Sequence, residues 1–436
     1  MLQVRPGGPL RGIATPPGDK SISHRAVIFG SLAEGTTRIS HLLEGEDVRR
    51  TVAAFRTMGV DIQREADGTH IIQGVGLDGL LEPDDVLDLG NSGTGIRLLT
   101  GLLASRPFLS ILTGDASLRG RPMGRVVTPL TRMGAQILGR DGNRRAPLVI
   151  RGTELIPIDY VSPVASAQVK SAILLAGINT PGETSVTEPA LTRDHTERML
   201  AAFGGTVQRD GLTVRVDCWP RLTGQTVAVP GDPSAAAFPL VAALLTPGSD
   251  LVLENVGVNP TRTGLLDLLE MMGAAIERFN LRESGGEPVA DLRVTHAELR
   301  GITVPREVIP RAIDEFPVFF VAAALAEGAT ILTGAGELRV KESDRLAAMA
   351  QGLTHLGARV TETPDGLTII GQPGGLNGGP ADSWTDHRVA MSLLVAGQRC
   401  REPVTVTRCD NIDTSFPDFL PLMTGLGMDL GVGDAP

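Results

Sequence analysis

The chain has 436 residues, of which 42% are apolar and 21% charged, values that suit a globular protein of two or three domains and exclude global disorder. Aromatic residues are only 3% and the net charge is −10, a balance that argues against nucleic acid as a partner. The longest apolar runs, such as 235–245, are too short to span a bilayer, and the first residues lack the apolar core of a signal peptide, so no membrane partner is expected. Cys218, Cys400 and Cys409 make neither a metal-type pair nor a disulfide framework, which fits a reducing cytoplasm.

Of 40 basic residues only three are lysine: Lys20, Lys170 and Lys341. A lysine that persists among so many arginines either marks a place needing a compact ammonium or is a scattered leftover. Local context has to decide.

In chain order, the first candidate is Pro17-Gly-Asp-Lys-Ser-Ile-Ser-His-Arg25, which opens a helix that Ser21 or Ser23 is expected to cap. Lys20, Arg25 and the free N–H groups of the helix start suit a phosphate or carboxylate. The plainer reading is a capped helix with solvated charges. Next, Leu89-Gly-Asn-Ser-Gly-Thr-Gly-Ile-Arg97 is a glycine-rich turn into an apolar helix. It lacks the Gly-Lys-Ser/Thr ending of a nucleotide loop, so it is either a close-approach ligand loop or a tight strand–helix turn. Gly74-Val-Gly-Leu-Asp-Gly79 matches a dinucleotide fingerprint in letters only, because no helix pattern follows it. Arg119-Gly-Arg-Pro-Met-Gly124, Ser166-Ala-Gln168 and Arg193-Asp-His-Thr196 are polar, loop-like and weak singly. Pro230-Gly-Asp-Pro-Ser234 echoes the first motif 213 residues later.

Ile313-Asp-Glu-Phe-Pro317 puts two acids before an apolar helix, as dipole partners or as a carboxylate with a raised pKa. Leu338-Arg-Val-Lys-Glu-Ser-Asp-Arg345 sets Lys341 and Arg345 four apart at a helix start, with Glu342 beside them. This reads as a proton-handling anion site or as a salt-bridged first turn. Asp386-His-Arg388 closes the series. Seven histidines form no metal-ligand spacing, and no metal is expected.

The organisation comes from an internal repeat. An apolar–Gly–x–x–aliphatic pattern follows six helix-like stretches, with glycines at 59, 134, 204, 273, 357 and 427. Before Gly357, residues Leu346, Met349, Leu353 and Leu356 lie at helical spacing, and the glycine suits the left-handed stop of a helix. Asp-Gly pairs at 67–68, 141–142, 210–211 and 365–366 signal hairpin turns. The unit is therefore helix, glycine stop, strand, turn, strand. Three such units separate the two Pro-Gly-Asp motifs, which implies two halves of three units with crossings near 15–20 and 229–233. Residues 20–230 form one expected lobe and 1–19 with 231–436 the other; a ligand site between such halves is the ordinary arrangement.

Together, and in this order, these segments resemble the 5-enolpyruvylshikimate-3-phosphate (EPSP) synthase family from Pro17-Gly-Asp-Lys-Ser21 to Thr414-Ser-Phe-Pro-Asp418. The resemblance implies an α/β (α+β) two-domain enolpyruvyl-transferase fold, each domain built of three βαβαββ units with pseudo-threefold symmetry. It implies transfer of the enolpyruvyl group of phosphoenolpyruvate to the 5-hydroxyl of shikimate 3-phosphate, by a cytoplasmic monomer without cofactor. Lys20, Ser21, Arg25, Ser166, Gln168, Arg193, Asp314 and Lys341 match shikimate-phosphate contacts. Lys20, Gly93, Arg121, Gln168, Arg345 and Arg388 match phosphoenolpyruvate contacts. Asp314 is implied as proton acceptor and Glu342 as acid/base, with Lys20 completing the catalytic set. The resemblance gives Lys170 no role.

The sequence departs from some members at Ala167, at Arg193 and at Thr414, where they carry serine, serine with tyrosine, and lysine. Two other readings stand beside the synthase. One is a transferase acting on UDP-N-acetylglucosamine, whose relatives carry a loop cysteine that residues 1–217 lack here. The other is a non-catalytic binding homologue.

Overall fold

The computed structural model describes residues 1–433. The described chain divides into two compact units, residues 18–229 with 283–287, and residues 1–17, 230–282 and 288–433. Each unit has its own apolar core.

In the first unit the βαβαββ order is plain. Leu87–Asp88 leads through helix Gly93–Leu103 to Leu109–Thr113, then through Gly124–Arg132 to the hairpin Gln136–Gly139 and Arg145–Arg151. The first two strands pair in parallel and the hairpin adds antiparallel. Asp159–Val161 through Thr213–Val216 repeats this pattern around helices Ala167–Gly177 and His195–Ala202. The remaining sheet, around helices Lys20–Leu32 and Glu46–Thr57, takes its parallel strand from Thr226–Ala228 at the far end of the unit.

The second unit uses the same order with borrowed strands. Arg11–Ala14 pairs in parallel with Asp250–Gly257, and Leu2–Val4 lies between Val404–Thr407 and Leu430–Val432. In the middle repeat the parallel strand shrinks to two isolated bridges, Arg300 to Glu327 and Thr303 to Ile331.

Each repeat has an inner and an outer helix. The inner ones are Lys20–Leu32, Gly93–Leu103, Ala167–Gly177, Pro233–Leu245, Phe316–Leu325 and His387–Gly397. They are buried on nearly every face; all ten positions of Phe316–Leu325 are buried, as a helix without a polar stripe requires. The outer helices are two-faced, and each stops at a repeat glycine. Gly59, Gly134, Gly204, Gly273, Gly357 and Gly427 all have φ between +89° and +106°, where a side chain is strained.

Two local expectations need correcting. Asp19, not Ser21 or Ser23, caps the first inner helix, accepting from Ile22 N at 2.8 Å. A carboxylate is a stronger acceptor than a hydroxyl for a positive helix end. Ser23 Oγ instead accepts from Leu43 N at 3.0 Å. Asp232 in the echoing motif does the same job as Asp19, accepting from Ser234 N. The second correction is at Asp365-Gly366. The register pairs Thr363 with Gly366, so the turn is Pro364-Asp365 and the glycine lies within a strand. Glycine is required there by space, since a Cβ would sit 1.9 Å from Leu332 O.

Candidate active site

The expected residues gather at helix N-termini, and they form two clusters, one in each unit.

In the first unit, three inner helices present their starts through side-chain links between them. His24, on the Lys20 helix, reaches Thr51 Oγ1 at 2.8 Å and Ser92 Oγ at 3.4 Å, the latter the cap of the Gly93 helix. Arg25 donates to Ser21 O (2.8 Å), to Ser171 Oγ of the Ala167 helix (2.8 Å) and to Thr196 Oγ1 (2.7 Å). Arg97 reaches from the Gly93 helix to Gln168 Oε1 at 2.5 Å and to Pro122 O at 3.1 Å, while Gln168 Nε2 donates to Thr94 Oγ1 at 2.9 Å. Ser166 caps the Ala167 helix.

Lys20 heads the first helix and pairs with Asp47 at 3.1 Å. Arg121 is buried and donates to Asn91 Oδ1 and to Ser117 Oγ. Gly93 lies directly under the two guanidiniums: a Cβ there would stand 2.9 Å from Arg121 Nη1 and 3.1 Å from Arg97 Nη1. Arg193, half-buried, lies near enough to Arg25 to disfavour its charge.

Electrically this cluster is donor-rich. Burial, with Lys20 and Arg25 adding to it, pushes His24 down to about 3, so its ring is neutral at neutral pH. Burial pulls Arg25 down to about 10, which still leaves it a cation. Three positive helix ends, several cations and few acids make a place for a multiply charged anion.

The second unit's cluster is mixed in sign. Its centre is Arg345, whose side chain is 1% exposed. Nε donates to Asp386 Oδ2 at 2.8 Å, Nη1 to Asp314 Oδ1 at 3.1 Å and Nη2 to Glu342 Oε2 at 2.6 Å. Lys341 Nζ stands 3.9 Å from the same Asp314 oxygen. Arg388 donates to Asp314 O at 3.0 Å and lies 3.8 Å from Glu315. Burial works against the charge of Arg345, but Asp386, Glu342 and Asp314 outweigh it and raise its pKa. Burial likewise opposes the Asp386 carboxylate, and Arg345 overrides it, holding the group below the ordinary carboxylate range. Burial lowers Lys341, against the pull of Asp314. The result is a guanidinium that fixes two half-buried carboxylates, Asp314 and Glu342, beside a lysine whose proton is loosened.

Several members of these clusters had no role in the sequence reading. Arg97 follows Gly93 by one helical turn, a spacing that was visible. Asp47 becomes a member only through the fold, while Asn91, Glu315 and Asp386 lay inside quoted motifs and gain their partners only through the fold. So does Arg262, which donates to Asp232 and Ser234 and lies 3.9 Å from Glu315. Ile313-Asp-Glu does more than attend a helix dipole, since Asp314 binds two cations and Glu315 accepts from Ser234.

The family model described as EPSP synthase (3-phosphoshikimate 1-carboxyvinyltransferase) matches residues 4–423. A 3-phosphoshikimate 1-carboxyvinyltransferase from Magnetococcus marinus is 66% identical over 99% of both chains. One from Alkalilimnicola ehrlichii is 58% identical over 100% of this chain and 97% of its own. An EPSP synthase structure from Acinetobacter baumannii superposes with a TM-score of 0.89 at 48% identity, covering 99% of each chain. By sequence and by fold alike, the chain belongs to the EPSP synthase family.

Proposed function

We propose that the chain transfers the enolpyruvyl group of phosphoenolpyruvate to the 5-hydroxyl of shikimate 3-phosphate and releases phosphate, a step of aromatic amino-acid biosynthesis. Family membership supports this reading, as do relatives of 54–66% identity that carry the corresponding name. One structural observation carries the chemistry: a single buried guanidinium, Arg345, holds Asp314 and Glu342 on separate nitrogens.

In the proposed mechanism Glu342 protonates the methylene carbon of phosphoenolpyruvate, which develops cationic character at its second carbon. The 5-hydroxyl oxygen bonds to that carbon while Asp314 takes the hydroxyl proton. Glu342 then removes a proton from the new methyl group, the double bond reforms, and the bond to phosphate breaks with its electron pair. Acid and base act on opposite sides of one carbon centre, which suits two carboxylates held apart by one cation. Lys20 serves the leaving phosphate, and Gly93, Arg121, Gln168, Arg345 and Arg388 serve the phosphoenolpyruvate anion. Ser21, Arg25, Ser166, Gln168, Arg193 and Lys341 hold shikimate 3-phosphate.

The test is phosphate release from phosphoenolpyruvate with shikimate 3-phosphate and, separately, with UDP-N-acetylglucosamine. Release with the first acceptor alone is expected. Release only with the second would replace the reading, and release with neither would favour a binding homologue. The reading includes a monomer in a reducing cytosol, where the free thiols of Cys400 and Cys409 are at home. Light scattering at assay concentration checks the monomer.

A further inference from the structure

Lys170 is the lysine left without a role, and its surroundings are unusual. Its side chain is fully buried, with Nζ 2.8 Å from Glu188 Oε2 and 2.8 Å from Glu197 Oε1. Both acids are buried as well, and Glu188 also accepts from Thr192. Buried ion pairs repay their desolvation poorly as a source of stability, so a role in fixing geometry is the better account.

The two acids flank one segment. Glu188 follows strand Thr184–Thr187, and Glu197 lies in the first turn of helix His195–Ala202. Arg193 and Thr196 lie between them. Thr196 holds the Nε of Arg25, so both ends of the segment are drawn onto one ammonium while its middle reaches the anion-binding cluster.

Lys170 also sits near the start of an inner helix whose first polar residues bind the elements around it. Gln168 takes Arg97 of the Gly93 helix, Lys170 takes the 188–197 segment, and Ser171 takes Arg25 of the Lys20 helix and Thr196. At about 100° per residue, positions 168, 170 and 171 point in three different directions, so one turn serves these neighbours without conflict. Composition agrees with the geometry. In a chain that writes arginine almost everywhere, a lysine stands where a compact ammonium meets two buried carboxylates.

We propose that Lys170 is a positioning residue: by clamping Glu188 and Glu197 it fixes the 188–197 segment, and with it Arg193, for the shikimate 3-phosphate side of the reaction. This rests on the functional reading above. Lys170 does not touch substrate in this account, and none of the proposed phosphoenolpyruvate contacts lies on the 188–197 segment.

The test uses two variants of the full chain. Lys170→Met removes the clamp but strands two buried acids and can prevent folding. Glu188→Gln keeps Lys170 paired with Glu197, weakens the hold on one end of the segment from an ion pair to a hydrogen bond, and leaves one buried cation beside one buried acid. In Glu188→Gln, the KM for shikimate 3-phosphate rises about tenfold or more, as misplacement of a contact by an ångström would cause, while the KM for phosphoenolpyruvate stays near wild type. Amide hydrogen exchange across 188–194 quickens in the same variant. A folded Glu188→Gln protein with an unchanged KM for shikimate 3-phosphate overturns the proposal, as does equal weakening of both substrates. If wild type does not bind shikimate 3-phosphate at all, the functional reading fails instead. In that case unchanged exchange at 188–194 in Glu188→Gln still refutes the clamp.

Discussion

Replacing Gly93 with alanine tests the proposed phosphoenolpyruvate cradle with one methyl group. The new Cβ would lie 2.9 Å from Arg121 Nη1 and 3.1 Å from Arg97 Nη1, where ordinary contact begins at 3.4 Å. One or both guanidiniums must therefore retreat by about half an ångström. Neither is loose: Arg121 is tied to Asn91 and Ser117, and Arg97 to Gln168 and Pro122. Displacing one charge-assisted hydrogen bond to a bound phosphate costs about 1.5–3 kcal/mol. That corresponds to roughly a 10- to 150-fold rise in the KM for phosphoenolpyruvate. Stability moves the other way. Gly93 has no positive φ and begins a helix, so alanine stabilises by up to about 1 kcal/mol through the unfolded chain, offsetting the strain. The assay is phosphate release with each substrate varied in turn, beside thermal unfolding. An unchanged KM for phosphoenolpyruvate in a folded variant would refute the placement of the anion over Gly93. A large fall in melting temperature would refute the claim that the guanidiniums alone absorb the methyl.

Arg345→Met is expected to destabilise by about 3–5 kcal/mol, because it leaves Asp386 and its neighbours buried without their cation; Arg345→Met/Asp386→Leu should recover part of the melting temperature. Asp314→Asn should lower kcat by about 10²–10⁴ while calorimetry still detects shikimate 3-phosphate, as removal of a proton acceptor requires. His24 gives a pH prediction. Its pKa is about 3 in the fold against 6.5 ordinarily, so below pH 6.5 the unfolded chain takes up a proton that the native state refuses. Stability therefore falls with falling pH across that window, by about 2 kcal/mol at pH 5 from this group. Denaturant titrations of His24→Gln should show a correspondingly shallower loss between pH 7 and pH 5. If the slopes coincide, His24 is not held neutral.

The repeat was legible because its signals are local. A glycine that must adopt positive φ after an apolar stripe is written in five or six neighbouring residues, and all six instances hold. The Asp365-Gly366 turn misled because glycine has two uses, and the one operating there, room beside Leu332 O, depends on a residue 34 positions away. The clusters were legible only in part. Motif residues at helix starts were visible one by one, yet each also had a plain structural reading, and only resemblance to a family chose between them. What no local pattern encodes is the partner: Arg97 with Gln168, Arg345 with Asp386, Arg262 with Asp232, Lys170 with Glu188. Those pairs lie 18 to 71 residues apart.

Leu2–Val4 is hydrogen-bonded on both edges, to Val404–Val406 and to Leu430–Val432. This strand is thus synthesised about 400 residues before the two that flank it. At about 5–20 residues per second, it waits on the order of tens of seconds for the strands that flank it. Residues 18–229 contain nearly all of their own partners and are free to fold during that interval, so synthesis itself imposes an order on the two halves. Deleting the first five residues would remove an interior strand, not a loose end.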